Sequence, residues 1–279
     1  MPHGQYFDLN RLNPLATTAG MLDKAPEVQP PRASVHERLR KAGIHPRNAM
    51  ATWMDDSVGV ILKKLDEYQV AGNTIVLFLS DNPSRGKNSC YEGARVPAIV
   101  RWPGRVKAGA RIGTLCANID VPATLIEAAG GTAPADMRQD GRSFLAQLTG
   151  RPDPAGWRTE LLLEVNNSRA AVGRRWKYIA NRMTGKEEEA MRADSEDAAR
   201  SGRPRRVGWN GVDHHLYNAD ADFPAYFDPD QLYDLDADLH ERVNLAARPA
   251  HADVLAEMKT ALARLLAPLP HSFGEFKRS

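Results

Sequence analysis

Apolar and polar positions change their spacing several times along the chain. Residues 1–46 hold Pro2, Pro14, Pro26, Pro30, Pro31 and Pro46, a density that forbids long helices and central strands and leaves one short helix near 32–42. From Arg47 a helical period takes over. Met50, Trp53, Met54, Val58, Ile61, Leu62 and Leu65 share one side, with Asp55, Asp56, Lys63, Lys64 and Glu67 opposite, where Asp55 and Asp56 are expected on a solvated face or as a cap to a nearby loop. Gly59 inside this helix costs up to about 1 kcal/mol against Ala, which predicts close packing there against a neighbour. Thr74 to Leu79 is β-branched, aliphatic and aromatic without alternation, as in a strand buried on both faces. A second buried strand is predicted at Ala98–Trp102 and a shorter helix at Val121–Ala129. Helix, strand, loop, strand, helix describes part of an α/β layer structure with a parallel sheet.

Gly141 to Pro154 looks like a boundary, dividing the chain into 1–150 and 151–279. Beyond it, Glu160–Val165, Ala170–Val172 and Lys177–Ala180 are short strand candidates for a small antiparallel sheet. Residues 184–213 lack apolar periodicity and read as a mobile polar insertion. A last amphipathic helix carries Val254, Leu255, Met258, Leu262, Leu265 and Leu266 and is expected to cover one face of the small sheet.

Composition narrows the function classes. With 37 Lys+Arg against 35 Asp+Glu, the net charge is too small to argue for nucleic acid or an acidic membrane surface. The arginine cluster between Arg200 and Arg206 is offset by the acids of 187–197, so nucleic acid is not expected as a partner. The longest clean aliphatic run, Ile75–Leu79, is far short of a membrane span. Cys90 and Cys116 make neither a disulfide framework nor a zinc knuckle. The first residues carry no basic or apolar leader segment, which taken alone points to the cytoplasm.

Candidate chemistry is concentrated after the 74–79 strand. Asp81 and Asn82 sit at its carboxyl end, the edge at which α/β sheets bind ligands. A carboxylate and an amide oxygen there suit a hard divalent cation; taken alone, the dipeptide better fits an Asx turn that hydrogen-bonds the backbone. Lys87 could hold a phosphate or sulfate oxygen as a point charge, or be a solvated loop lysine. Glu92 and Arg95 are placed to pair across a turn. His3 has the chemistry of a general acid, and His214-His215 could meet a metal, though from the residues alone each reads better as solvated or exposed loop.

In order, Met54-Asp55-Asp56-Ser57-Val58-Gly59, Asn73 to Asn82, Gly86-Lys87, Tyr91-Glu92-Gly93, Arg95-Val96-Pro97, Arg101-Trp102-Pro103-Gly104, Ile119 to Leu125, Asp140-Gly141-Arg142-Ser143, Leu232 to Leu235, Glu241 and Asn244-Leu245-Ala246 resemble the C-terminal half of the sulfatase family, within the alkaline-phosphatase-like hydrolases. The resemblance implies a partial alkaline-phosphatase-like parallel sheet with flanking helices, plus a small C-terminal antiparallel sheet with a covering helix. It implies hydrolysis of a sulfate ester, on a small molecule or saccharide, beside a divalent cation that in the family is usually Ca²⁺. Carried over by position, Asp81 and Asn82 look like two metal ligands, Lys87 like the lysine that holds sulfate and the leaving oxygen, and His3 like the histidine that assists departure.

The family's formylglycine motif, Cys/Ser-x-Pro-x-Arg, is not in this chain: Cys90 is followed by Tyr-Glu-Gly-Ala and Cys116 by Ala-Asn-Ile-Asp. The first pair of metal-binding aspartates is missing too. The expectation is therefore a truncated or inactive form, with the start at Met1-Pro2-His3 falling inside an active-site loop. A related phosphodiesterase or phosphonate hydrolase, and a non-catalytic remnant, are the alternatives. Half of a parallel sheet leaves an edge that invites a partner chain or an oligomer. The compartment stays open, since the family is often exported.

Overall fold

The computed structural model describes residues 16–17, 20–21, 23, 29–31, 33–81, 90–153, 156–201 and 222–276. The chain divides into two compact units, Met1–Leu77 with Val100–Ala108, and Phe78–Ile99 with Gly109–Ser279.

In the first unit, β1 (Ala16–Thr17) and β2 (Gly20–Met21) form a minimal antiparallel pair. Helix α1 (Ser34–Lys41) packs on α2 (Ala49–Glu67) through Val35, Leu39 and Ala49, with Met50 and Trp53 beside them. Asp56 does not lie on a solvated face as its helical position suggested. Its carboxylate takes both ends of the Arg38 guanidinium at 2.9 and 2.5 Å, because α1 covers that side of α2. Gly59 also departs from expectation: a Cβ added there meets nothing within 4 Å. Past Ala49 the apolar side of α2 is only partly covered, and Met54 and Ile61 are exposed among the described residues.

Strands β3 (Val76–Leu79) and β4 (Ala98–Arg101) are hydrogen-bonded neighbours in a two-stranded sheet, and the boundary between the units runs through both. Neither is buried on both faces as their sequences suggested. Leu79 and Ile99 are exposed and the rest of β3 is half-buried, because among the described residues each strand has one strand neighbour.

The second unit holds α3 (Asp120–Ala128), α4 (Leu145–Thr149) and an antiparallel sheet in the order β5 (Leu161–Val165), β6 (Ser168–Val172), β7 (Trp176–Asn181), β8 (Asp230–Asp234). Its side chains alternate between two apolar layers, as the two-residue period of a strand requires. Ala171, Tyr178, Ala180 and Leu232 meet Met258, Ala261, Leu262 and Leu266 of the closing helix α6 (Ala252–Leu266), the cover expected from its periodicity. Ala170, Ile179 and Tyr233 point the other way, onto Cys90, Tyr91 and Phe223.

Two elements here were not expected. Strand β8 has acidic residues at both ends and follows Pro229, which hides its apolar centre in the sequence. The start of the supposed mobile insertion is a helix, α5 (Gly185–Ser201). Its first turn is fixed by reciprocal bonds: the Glu187 carboxylate accepts from the Thr184 backbone N–H at 2.8 Å, and the Thr184 hydroxyl accepts from the Glu187 N–H at 3.3 Å. That exchange satisfies two donors that helix ends otherwise leave without partners. The rest of the predicted insertion, 202–213, lies outside the described residues.

Candidate active site

Strand β3 delivers Asp81 to its carboxyl end, where the side chain is exposed. The exit is pinned by the Ser80 backbone N–H, which donates to the Pro97 carbonyl just before β4 at 3.3 Å. Of the other predicted site residues, His3, Asn82 and Lys87 lie outside the described residues, as do His214 and His215. Ca²⁺ takes roughly six to eight oxygen ligands. Among the described residues no group of three acidic, histidine or cysteine side chains converges to hold a metal. The described residues alone therefore do not fit a complete cation site, and no reaction step is derived through one.

The chain re-emerges from the stretch after Asp81 at Cys90, where three consecutive side chains are anchored in different directions. Cys90 is buried with its thiol toward the Leu163 carbonyl at 3.8 Å, and burial pushes that thiol up to about 12. A thiol so placed is neither a nucleophile nor a metal ligand at neutral pH. The Tyr91 ring stacks on Phe223 with centroids 3.9 Å apart, and its hydroxyl donates to Gln231 Oε1 at 2.5 Å. Gln231 Oε1 also accepts from the Tyr233 hydroxyl at 2.9 Å. The Glu92 carboxylate lies 2.7 Å from His240 Nδ1, while the Arg95 backbone N–H donates to the Glu92 carbonyl at 2.9 Å.

Beneath this turn, Lys177 Nζ lies 2.5 Å from the Glu241 carboxylate, and both side chains are buried. Burial raises the Glu241 pKa above the usual carboxylate range, with the Lys177 charge opposing the shift. Glu241 also holds a left-handed backbone, φ +55°, uncommon for a residue with a side chain.

A second polar cluster joins α3 to the segments that follow it. Asp120 is fully buried at the start of α3. Its two oxygens accept from the Arg158 guanidinium at 2.8 and 2.6 Å and from the backbone N–H groups of Ala117 and Arg142, each at 2.8 Å. One turn on, the Thr124 hydroxyl donates to the Asp120 carbonyl at 2.8 Å and accepts from the Phe144 N–H at 3.0 Å. Gly141 passes so close that an added Cβ would sit 1.9 Å from the Ile119 carbonyl oxygen. The Arg142 and Arg158 guanidinium carbons each lie 4.9 Å from the Trp157 ring centroid. Sequence reasoning quoted Asp120, Thr124, Gly141 and Glu241 as parts of a pattern but gave them no task, since their partners are up to 38 residues away for Asp120.

A family model described as Sulfatase matches residues 14–131, and one described as N-sulphoglucosamine sulphohydrolase, C-terminal, matches residues 87–180. The two matches overlap and together support a sulfatase-family C-terminal portion across residues 14–180. It is 28% identical over 265 residues to an N-acetylgalactosamine-6-O-sulfatase of Bacteroides thetaiotaomicron, covering 85% of this chain and 45% of that protein. It is 28% identical over 254 residues to the human steryl-sulfatase, covering 80% of this chain and 40% of the relative. The fold is similar to that of the phosphonate monoester hydrolase of Agrobacterium radiobacter, with a TM-score of 0.55 at 21% identity over 79% of this chain and 40% of the other. The chain thus spans less than half the length of these relatives. Its fold is the expected α/β arrangement with small antiparallel sheets, like its neighbours of alkaline-phosphatase-like fold. No helix among the described residues is long and apolar enough to cross a membrane.

Proposed function

We propose that this chain carries part of a metal-dependent sulfuric ester hydrolase acting on a sulfated saccharide. The observation that supports the reading is the pair of overlapping family matches, of which 14–131 contains Asp81, Asn82 and Lys87 and 87–180 begins at Lys87. In this reading Asp81 and Asn82 supply two oxygen ligands to a divalent cation, Ca²⁺ by family habit. Such a cation, when bound, polarises the oxygens of the ester. Lys87 places its ammonium against the sulfate and the leaving oxygen, countering charge that grows as the ester bond breaks. His3 holds the proton delivered to the departing oxygen. The saccharide class comes from the relative named for N-acetylgalactosamine-6-O-sulfate chemistry.

The 279 residues contain no Cys/Ser-x-Pro-x-Arg. The purified chain is therefore expected to give negligible turnover of an aryl sulfate in the presence of Ca²⁺. Measurable turnover that disappears with Lys87→Ala would overturn that expectation while keeping the sites. Calorimetric titration with Ca²⁺ tests the cation half: binding that Asp81→Ala abolishes is expected, and equal binding by that variant removes Asp81 from the ligand set. The phosphonate hydrolase of similar fold keeps a phosphoryl reading in view. Coding sequence adjoining the chain separates the two. A Cys/Ser-x-Pro-x-Arg supports sulfate esters, and an unmodified Thr or Ser nucleophile supports phosphoryl chemistry. A partner chain or second copy covering the exposed apolar positions of β3 and β4 belongs to the same proposal. Sedimentation at several concentrations tests it, and a strictly monomeric chain counts against it.

A further inference from the structure

Two consecutive residues, His240 and Glu241, take hold of Glu92 in different ways. His240 Nδ1 lies 2.7 Å from the Glu92 carboxylate, and the Glu92 backbone N–H faces the Glu241 carboxylate. The Glu241 side chain is 1% exposed and lies 2.5 Å from Lys177 Nζ, on a side chain 5% exposed. Lys177 belongs to β7, Glu241 to the stretch after β8, and Glu92 to the connection between β3 and β4. One buried ion pair thus stands where three separate parts of the second unit meet.

Stability alone does not call for charges at that point. Two charges taken out of water lose their hydration, and their attraction makes good only part of the loss, so a matched apolar pair is often as stable or more so. Burial raises the Glu241 pKa even though the Lys177 charge opposes the shift; desolvation outweighs the attraction. Glu241 also holds φ at +55°, a strained backbone for a residue with a side chain. Apolar contact is already plentiful beside the pair, where Cys90 and Tyr91 pack with Ala170, Ile179, Phe223 and Tyr233. Such contact is non-directional and tolerates more than one seating of a turn. A charged pair aimed at one backbone N–H tolerates far fewer.

We propose that the Lys177–Glu241 pair is a seating device, which selects a single docked position of the Cys90–Glu92 turn on the C-terminal sheet and adds little to the stability of the fold. The inference stands whichever ester chemistry the site performs. Cys90 reports the seating. Its thiol is buried against the sheet, 3.8 Å from the Leu163 carbonyl. Burial is the main reason its pKa is raised, and both charges act on it as well, Lys177 lowering the pKa and Glu241 raising it. A turn that lifts or shifts exposes this thiol without global unfolding.

The test uses the full chain in a Cys116→Ser background, which leaves Cys90 as its single cysteine. Lys177→Met together with Glu241→Gln removes both charges and keeps similar side-chain lengths. Urea unfolding gives the midpoint and slope of each variant. Labelling by a thiol reagent at about pH 8, from zero urea to the foot of the transition, gives the rate for Cys90; the rate in full urea divided by that rate is its protection. Glu241→Gln alone strands the Lys177 charge and is expected to lower the midpoint, and adding Lys177→Met is expected to bring it back to the parent value or above. The same double variant is expected to lose about tenfold in Cys90 protection, with a rate that does not climb across low urea, the mark of local release. A double variant that fails to fold, or whose midpoint stays as low as that of Glu241→Gln, makes the pair an ordinary stabilising contact and overturns the proposal. Unchanged Cys90 protection in a folded double variant overturns it too.

Discussion

Replacing Asp120 by Ala should be among the most damaging single changes in the second unit. The substitution removes the partner of Arg158, whose side chain is only 14% exposed, and the acceptor of two backbone N–H groups. Breaking a buried ion pair from one side costs about 3–5 kcal/mol, because the remaining charge is left uncompensated. Each stranded N–H adds about 1–3 kcal/mol where water cannot reach it. These costs overlap, and partial relaxation toward solvent at Arg158 lowers them, so about 4 kcal/mol is expected for Asp120→Ala. Arg158→Ala should cost less, about 2–3 kcal/mol, because the carboxylate keeps its two backbone donors. The double variant removes both charges and should cost about 2 kcal/mol less than the sum of the singles. Urea unfolding followed by circular dichroism and tryptophan fluorescence measures all three, with coincident transitions and an unchanged slope as the condition for comparison. Additivity within about 0.5 kcal/mol, or a cost below about 1 kcal/mol for Asp120→Ala, would refute the reasoning.

The two glycines make a contrasting pair. Gly141→Ala drives a methyl into the Ile119 carbonyl and should destabilise by about 1–3 kcal/mol, whereas Gly59→Ala meets open space on α2 and should stabilise by up to about 1 kcal/mol; thermal midpoints moving the same way would contradict both. With native protein at about pH 8, a thiol reagent should label exposed Cys116 and spare buried Cys90 until urea is added, and equal labelling of both would show that Cys90 is not enclosed. The Arg175 guanidinium hydrogen-bonds Asp234 and holds its carboxyl below the usual range, with burial opposing. The unfolded chain then binds the proton more readily, so this contribution is present above the ordinary carboxylate pKa and fades as pH falls through the folded-state value. Arg175→Gln should lower the urea midpoint near pH 7 and lower it progressively less toward about pH 3, and a pH-independent difference would refute the linkage.

Elements whose apolar residues repeat were legible in the sequence. The α2 stripe, the α3 segment, the strands β5–β7 and the covering face of α6 all announce themselves by period. What failed has identifiable causes. Helix α5 is polar on every side, so its stability comes from helix-forming residues and from the Thr184–Glu187 exchange, a T-x-x-E signal that periodicity does not register. Burial of β3 and β4 was overstated because an aliphatic run reports an affinity for neighbours, while exposure depends on how many neighbours are present. Gly59 was given a packing role that open space beside it contradicts. At the candidate site, the strand-end position of Asp81 followed from the sequence. The Asp120 cluster and the Gln231 and His240 links did not, since nothing local couples residues 22 to 148 positions apart.

The residues that carried the family resemblance turn out to be mostly fasteners. Asp120 and Thr124 hold the Arg142–Phe144 stretch, and Gly141 is glycine because the Ile119 carbonyl leaves no room. Tyr91 and Glu92 tie their turn to Gln231 and His240. The Asn244 side chain accepts from the Leu232 and Ala246 N–H groups and donates to the Asp230 carbonyl, holding the chain after β8 against that strand. Such contacts are demanded by the fold whatever chemistry the fold performs. A sequence pattern built from them identifies the architecture strongly and the reaction weakly. This is why the pattern points to the α/β fold and to similarity with sulfatases, while the choice between sulfate and phosphoryl chemistry turns on a nucleophile that none of these fasteners touches. It also locates the informative mutations. Substitutions in the fasteners should move stability, and on the proposed reading substitutions at Asp81, Asn82, Lys87 and His3 should move ligand binding.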